Sequence, residues 1–202
     1  MSRRILRTLD VVRYKKSHHD QTHKAIVDAA SNLLREKGFT ETSVGTVMKA
    51  VGLTHGGFYA HFEDKTAMLV AAMQDAFVQS PTNFAAMAAM AKTKDDVGLI
   101  AAYYLADGRV KDVANGCPAA ALVSELPRQD HAVQEAFKSG TRATLDALAQ
   151  GPGLSKNTWA ALSMLMGGLT LMRAFSEEET QKIIRNEIVE ALRKIATLDS
   201  AQ

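Results

Sequence analysis

The sequence predicts an all-α protein, and three observations lead there. Only 4 Pro and 13 Gly stand among 202 residues, against abundant Ala, Leu, Met, Lys and Glu. Apolar residues recur at helical spacing along most of the chain. Hardly any window alternates β-branched and polar residues as a half-buried strand would. With 47% apolar and 23% charged residues the composition is that of a globular protein, which excludes disorder along most of the length.

The first helix is expected after a basic arm, through Ile26, Ala29, Ala30, Leu33 and Leu34, with Gly38 as its C-cap. Thr42 or Ser43 is placed to cap a second short helix whose apolar positions are Val44, Val47, Met48 and Val51. Gly52 then permits a positive φ and a tight turn. Thr54 is placed to cap a third helix over Thr54 to Phe62, with Leu53, Phe58 and Phe62 as inward anchors. Two short helices around a glycine turn, the second opening on small or polar residues, form a helix-turn-helix pattern that presents its first turn to the major groove.

Charge agrees with that reading. Residues 1–65 carry eleven Lys/Arg and seven Asp/Glu, a balance of +4, whereas the remainder carries −2. Five of the six histidines, His18, His19, His23, His55 and His61, also lie in this first part. Such asymmetry suits a polyanion or an acidic surface.

The stretch Thr22 to Leu69 resembles the DNA-binding domain of the TetR family of bacterial transcriptional regulators. The likeness runs without gaps through Ala29-Ala30, Leu34, Gly38-Phe39, Thr42-Ser43-Val44, Ala50 to Thr54, Phe58-Tyr59, His61-Phe62, Asp64-Lys65 and Leu69. It implies that Thr42 or Ser43, Tyr59, His61 and Lys65 touch phosphates, while Thr54, His55, Gly56 and Gly57 approach base edges. Physical reasons run alongside: a capped helix start offers free N–H groups, Tyr and His are neutral donors, and Lys65 adds charge. Two positions depart from the family's pattern. Met48 stands where alanine is usual, and Gly57 where threonine, serine or alanine is common, so the operator sequence does not follow from the resemblance. The arm, residues 1–19, holds Arg3, Arg4, Arg7, Arg13, Lys15 and Lys16. It is open to three readings: wrapping DNA, a tail without a role, or a segment packed on the protein through Ile5, Leu6, Leu9, Val11 and Val12.

Residues 20–65 therefore form the expected DNA-binding domain and residues 66–202 a ligand-binding and dimerisation domain, about nine helices in all. Asp64 should cap the fourth helix, which runs to about Ser80-Pro81 and links the domains. Further helices are expected from Phe84, over Leu99 to Leu105, from Ala119, over Val133 to Leu148, over Asn157 to Phe175 and over Glu177 to Leu198. Their breaks lie at Asn115-Gly116, Pro127, Gly151-Pro152-Gly153 and Ser176. The resemblance implies a homodimer through the last two helices, where Ala160-Ala161 and Gly167-Gly168 allow close approach. It also implies a ligand cavity, for which Phe84, Met87, Tyr103, Tyr104, Cys117, Trp159 and Met164 are candidates, though such residues also serve as plain core.

Gly116-Cys117-Pro118 resembles an element of one TetR subgroup. A thiol just ahead of a helix faces its positive end, which favours the reactive thiolate and suits an electrophile or oxidant sensor; the other reading is a small buried residue. The expected effector is accordingly small and apolar or electrophilic. A single cysteine excludes an internal disulfide and a Cys-based zinc site. No cofactor or metal is expected, no secretion signal is legible, and no apolar run could span a bilayer, so the expected location is the cytoplasm. The functional expectation is a ligand-responsive homodimeric repressor on a palindromic operator. Its alternatives are a constitutive DNA binder and a small enzyme with Cys117 as nucleophile, the latter lacking a phosphate loop or a second catalytic motif.

Overall fold

A computed structural model describes the backbone of residues 2–198 and the side chains of residues 19–198. The fold is all-α: ten α-helices and three short 3-10 helices among the described residues, and no strand. The readings of the basic arm rest on side chains that lie outside the described residues.

The amino-terminal head is built by local rules. Helix α1 (Ser2–Glu41) buries Ile26, Ala30 and Leu34 and leaves helical geometry at Gly38, where φ is 74° and ψ −175°. Only glycine adopts that conformation without strain, and the Glu125 carboxylate occupies the place a β-carbon would take. Of the two candidate caps for α2 (Val44–Ala50), Ser43 serves, its hydroxyl accepting the Thr46 N–H at 3.1 Å. Thr42 is instead fully buried and donates its hydroxyl to the Gly38 carbonyl at 2.7 Å. Gly52, at φ 70°, makes the turn, and the 3-10 helix His55–Ala60 follows.

That third element was expected as an α-helix from a Thr54 cap. Its Gly56-Gly57 pair supplies little helix propensity, and Thr54 makes no side-chain cap; its carbonyl accepts the Gly57 N–H at 3.1 Å. Phe58 and Phe62 anchor it inward as expected, but Leu53 is 39% exposed. The Leu53 N–H closes the turn on the Met48 carbonyl at 2.9 Å, which leaves the side chain at the surface.

Asp64 caps α3 (Lys65–Phe77) by accepting the Ala67 N–H at 2.7 Å. This helix stops short of Ser80-Pro81, because Pro81 sits in the first turn of α4 (Ser80–Met90), where a missing N–H costs nothing. The body continues through α5 (Gly98–Tyr104), α6 (Asp107–Lys111), α7 (Pro118–Leu122), α8 (His131–Leu148), α9 (Thr158–Ala174) and α10 (Glu178–Leu198). Short 3-10 helices at Asp95–Val97 and Leu126–Arg128 complete it. Helix α6 was not anticipated. It is five residues long, and Arg173 of α9 donates to the Val110 and Arg109 carbonyls at its end, both at 3.2 Å.

Two apolar cores result. One lies in the body, around Phe84, Ile100, Leu105, Leu148 and Leu165. The other fills the head and reaches through α3 to Ala119 and Leu122 of α7 and Val133 and Phe137 of α8. Cys117 and Met166 pack against both. Head and body are therefore joined through apolar contact as well as through α3.

Candidate functional site

Between Thr54 and Lys65 the head presents one outward surface. Thr54, His55, Gly56, Tyr59 and Lys65 are exposed there, and Tyr59 is 66% accessible although the aromatic ring next to it in sequence, Phe58, is fully buried. Tyr59 stands against Phe58 edge-on, centroids 5.3 Å apart, and against His55 at 6.2 Å. Nothing lies within 4 Å of a β-carbon built on Gly56. Backbone at that point is open to close approach by another molecule. Gly57 looks the other way: a β-carbon there would meet the Met48 methyl at 3.7 Å, an ordinary contact. The two departures from the family's pattern thus face each other, the larger residue at one position opposite the smaller at the other.

Ser43 is half-buried at the start of α2, so of the pair expected at a phosphate only Ser43 reaches the surface. His61 also differs from an exposed donor. It is half-buried, stacked on His19 at 4.4 Å and 6.0 Å from His23, and its Nδ1 is buried without a partner. Burial, reinforced by the two neighbouring histidines, holds His61 below the usual imidazole value. His19 also lies 3.0 Å from the Ala60 carbonyl through Nε2, and His23 stacks on Phe62 at 4.6 Å. Residues four apart on one helix face the same way, and that spacing of His19 and His23 is the signal sequence reading passed over.

A second site opens in the body, a cavity of about 360 Å³ that continues into a narrower recess toward α3. Four of the seven candidate ligand residues meet there: Phe84 and Met87 from α4, Tyr104 from α5, and Cys117 ahead of α7. Tyr103 is 46% exposed with the Arg109 guanidinium 4.5 Å above its ring; Trp159 is 65% exposed on α9; Met164 packs against the body core. None of these three lines the cavity. In their place stand Asn83, Arg109, Asn115 and Gly116, none of which was a candidate ligand residue from the sequence. The lining is thus more polar than expected. Tyr104 is 3% exposed, its hydroxyl makes no hydrogen bond of regular geometry, and burial, with the Cys117 thiol beside it, pushes its ionisation well above the usual phenol value.

Two struts tie this cavity to the head. Arg35 of α1 is 9% exposed and donates to the Ala114 carbonyl, to Ser31 Oγ at 2.9 Å and to Asn32 Oδ1 at 2.8 Å. Burial lowers its guanidinium, opposed by the charges of Asp75 and Asp112. Glu125, just beyond α7, accepts the Phe39 N–H at 3.2 Å where α1 turns at Gly38. The cavity residues Asn115, Gly116 and Cys117 therefore lie between two anchors on α1. No described helix is long and apolar enough to cross a membrane.

Residues 26–72 match the family model of the bacterial regulatory proteins, tetR family. The HTH-type transcriptional regulator AcrR of Shigella flexneri is 38% identical over 56 residues, 28% of this chain and 26% of that protein, so the chain matches about a quarter of this relative's length. Among solved structures, a TetR-family transcriptional regulator from Agrobacterium tumefaciens superimposes with a TM-score of 0.70 at 17% identity, over 86% of this chain and 98% of that one. Reduced NemR of E. coli gives 0.68 at 16% identity, over 86% and 96%. The head thus matches the TetR-family model over residues 26–72, and the chain as a whole shares the fold of solved TetR-family regulators.

Proposed function

We propose that this chain, with a TetR-family head on a helical body, is a sequence-specific transcriptional regulator: a homodimeric repressor that binds a palindromic operator and is released by a small effector. The observation that carries the reading is the outward surface from Thr54 to Lys65, where Gly56 leaves the backbone open and Tyr59 stands clear of the core. Thr54, His55 and Gly56 approach base edges in the major groove, while Gly57, turned toward Met48, keeps the element close to α2. Ser43, Tyr59 and Lys65 hold phosphates and set the register.

Two protomers join through α9 and α10. Ala160, Ser163, Gly167 and Ala174 form an exposed row of small residues on α9, beside exposed Leu171 and Phe175 and near Ile183 of α10. The adjacent glycines divide the work: Gly168 receives Ile188 of its own chain's α10, whereas nothing lies within 4 Å of a β-carbon on Gly167. A two-fold partner on this face places two heads on two half-sites.

The effector enters the cavity beside Cys117, whose Gly116-Cys117-Pro118 setting we assign to the Gly-Cys-Pro subgroup. Occupancy moves the segment between the Arg35 and Glu125 anchors and with it α1; this coupling requires that the effector prefer one head arrangement. Of the two effector chemistries expected from the sequence, the polar lining disfavours a purely apolar one, and the Cys117 thiol keeps an electrophile in play. Electrophile sensing predicts that Cys117→Ser stays on DNA when the wild type is released.

Selection of binding sites from randomised duplex DNA tests the proposal. An inverted repeat bound by two protomers, with affinity falling steeply as salt rises and about tenfold weaker in Tyr59→Phe, is expected. Equal binding to unrelated DNA would refute it. A regulator that binds this site but responds to no effector would be the constitutive alternative.

A further inference from the structure

Two hydrogen-bond donors of different kinds, a phenol and a guanidinium, meet at the cavity. The Tyr104 hydroxyl is buried with no hydrogen bond of regular geometry, only the weakly accepting Cys117 thiol beside it, and its raised ionisation keeps the proton in place, so it offers a donor. The Arg109 guanidinium lies at the same cavity over the face of Tyr103, with no ion-pair partner among the described residues. The lining carboxylate, Asp112, is engaged by its neighbour: its oxygens accept the Asn115 N–H at 3.2 Å and the Asn115 side-chain amide at 3.1 and 3.3 Å. Below Gly116, the half-buried Arg173 adds a second positive charge. Phe84 and Met87, 2% and 1% exposed, line the narrower recess that opens off the main cavity beside Tyr104 and Arg109. A volume of about 360 Å³ is at the small end for ligand sites.

We propose that the cavity binds a small single-ring carboxylate, its ring against Phe84 and Met87, its carboxylate paired with Arg109 and accepting the Tyr104 hydroxyl. This deepens, and rests on, the reading of the cavity as the effector site. A carboxylate supplies acceptor oxygens for the Tyr104 hydroxyl and the Arg109 guanidinium together, and the planar guanidinium matches it in a bidentate pair. A neutral amide of the same shape offers one acceptor and brings N–H donors to a site already rich in them.

Titration calorimetry of the full-length protein with benzoate, 4-hydroxybenzoate, benzamide and benzyl alcohol tests this. The expected result is carboxylate binding at least tenfold tighter than that of benzamide. Arg109→Gln should erase the preference, and Tyr104→Phe should weaken carboxylate binding about tenfold without lowering the melting temperature of the free protein, since it removes an unsatisfied hydroxyl. Benzamide binding as tightly as benzoate, or a preference unchanged in Arg109→Gln, would overturn the carboxylate assignment while leaving the cavity a binding site. Binding of none of the four would overturn both. Tight carboxylate binding with no change in operator affinity would uphold the ligand class and overturn the effector reading.

Discussion

In the head, the groups that face outward lie between Ser43 and Lys65, and each frame that holds them closes within a few residues: Ser43 on Thr46, Thr54 on Gly57, Asp64 on Ala67. In the body, the cavity draws Phe84 and Met87 from α4, Tyr104 from α5, Arg109 from α6 and Cys117 from the approach to α7. A DNA-reading surface must hold one geometry, and short-range caps fix it. A ligand cavity assembled by long-range packing leaves its chemistry free to vary while the helices around it stay the same. Arg35, Gly38 and Glu125 are where the two designs meet.

The comparison breaks most visibly if the head's core is emptied. Phe58→Ala removes a fully buried ring from the head's apolar core and should cost about 3–5 kcal/mol, with loss of operator binding. Denaturant melts and DNA titrations measure the two effects. Next comes the junction. Arg35→Met leaves the Ala114 carbonyl without its guanidinium donor and should destabilise by about 1–3 kcal/mol; it should also blunt any response of DNA binding to cavity occupancy. Ser43→Ala, which removes a local cap, should cost about 1 kcal/mol and leave ligand binding at the cavity untouched.

The smallest effect is a pH slope. His61 is held below its unfolded value, so the unfolded chain binds the proton more readily than the fold does. Its contribution to stability is complete above the ordinary imidazole value of about 6.5 and is lost as pH falls from there toward the depressed folded value. Denaturant titrations between pH 7.5 and 5.5 should show this loss, and His61→Gln should lessen it.

What was legible in the sequence follows the same division. Caps, turn glycines and apolar spacing are local signals, so Gly38, Ser43, Gly52, Phe58 and Asp64 took their places as read. The long helices α8, α9 and α10 announced themselves by amphipathic period and by the glycine and serine breaks between them. Helix α6 was hidden because its end is satisfied by Arg173, sixty-odd residues downstream. The third element of the head came out as a 3-10 turn because two glycines weaken an α-helix there. Half-burial of His61 depends on α1 crossing beneath it, which no spacing around His61 itself reports. At the cavity, aromatic and sulfur residues were named from composition. Asn83, Arg109 and Asn115 were not, since polar residues on short elements look like ordinary surface until packing turns them toward one another.

The central claim is that a change in the body's cavity reaches the DNA-reading head. Cys117 is the chain's only cysteine, so iodoacetamide places a carbamidomethyl group at the cavity and at no other thiol. Operator affinity should be measured by fluorescence anisotropy before and after complete alkylation, with Cys117→Ser treated in parallel. The account predicts weaker binding of the alkylated wild type and no change in Cys117→Ser. Fully alkylated protein that binds the operator as tightly as the unmodified chain would contradict it.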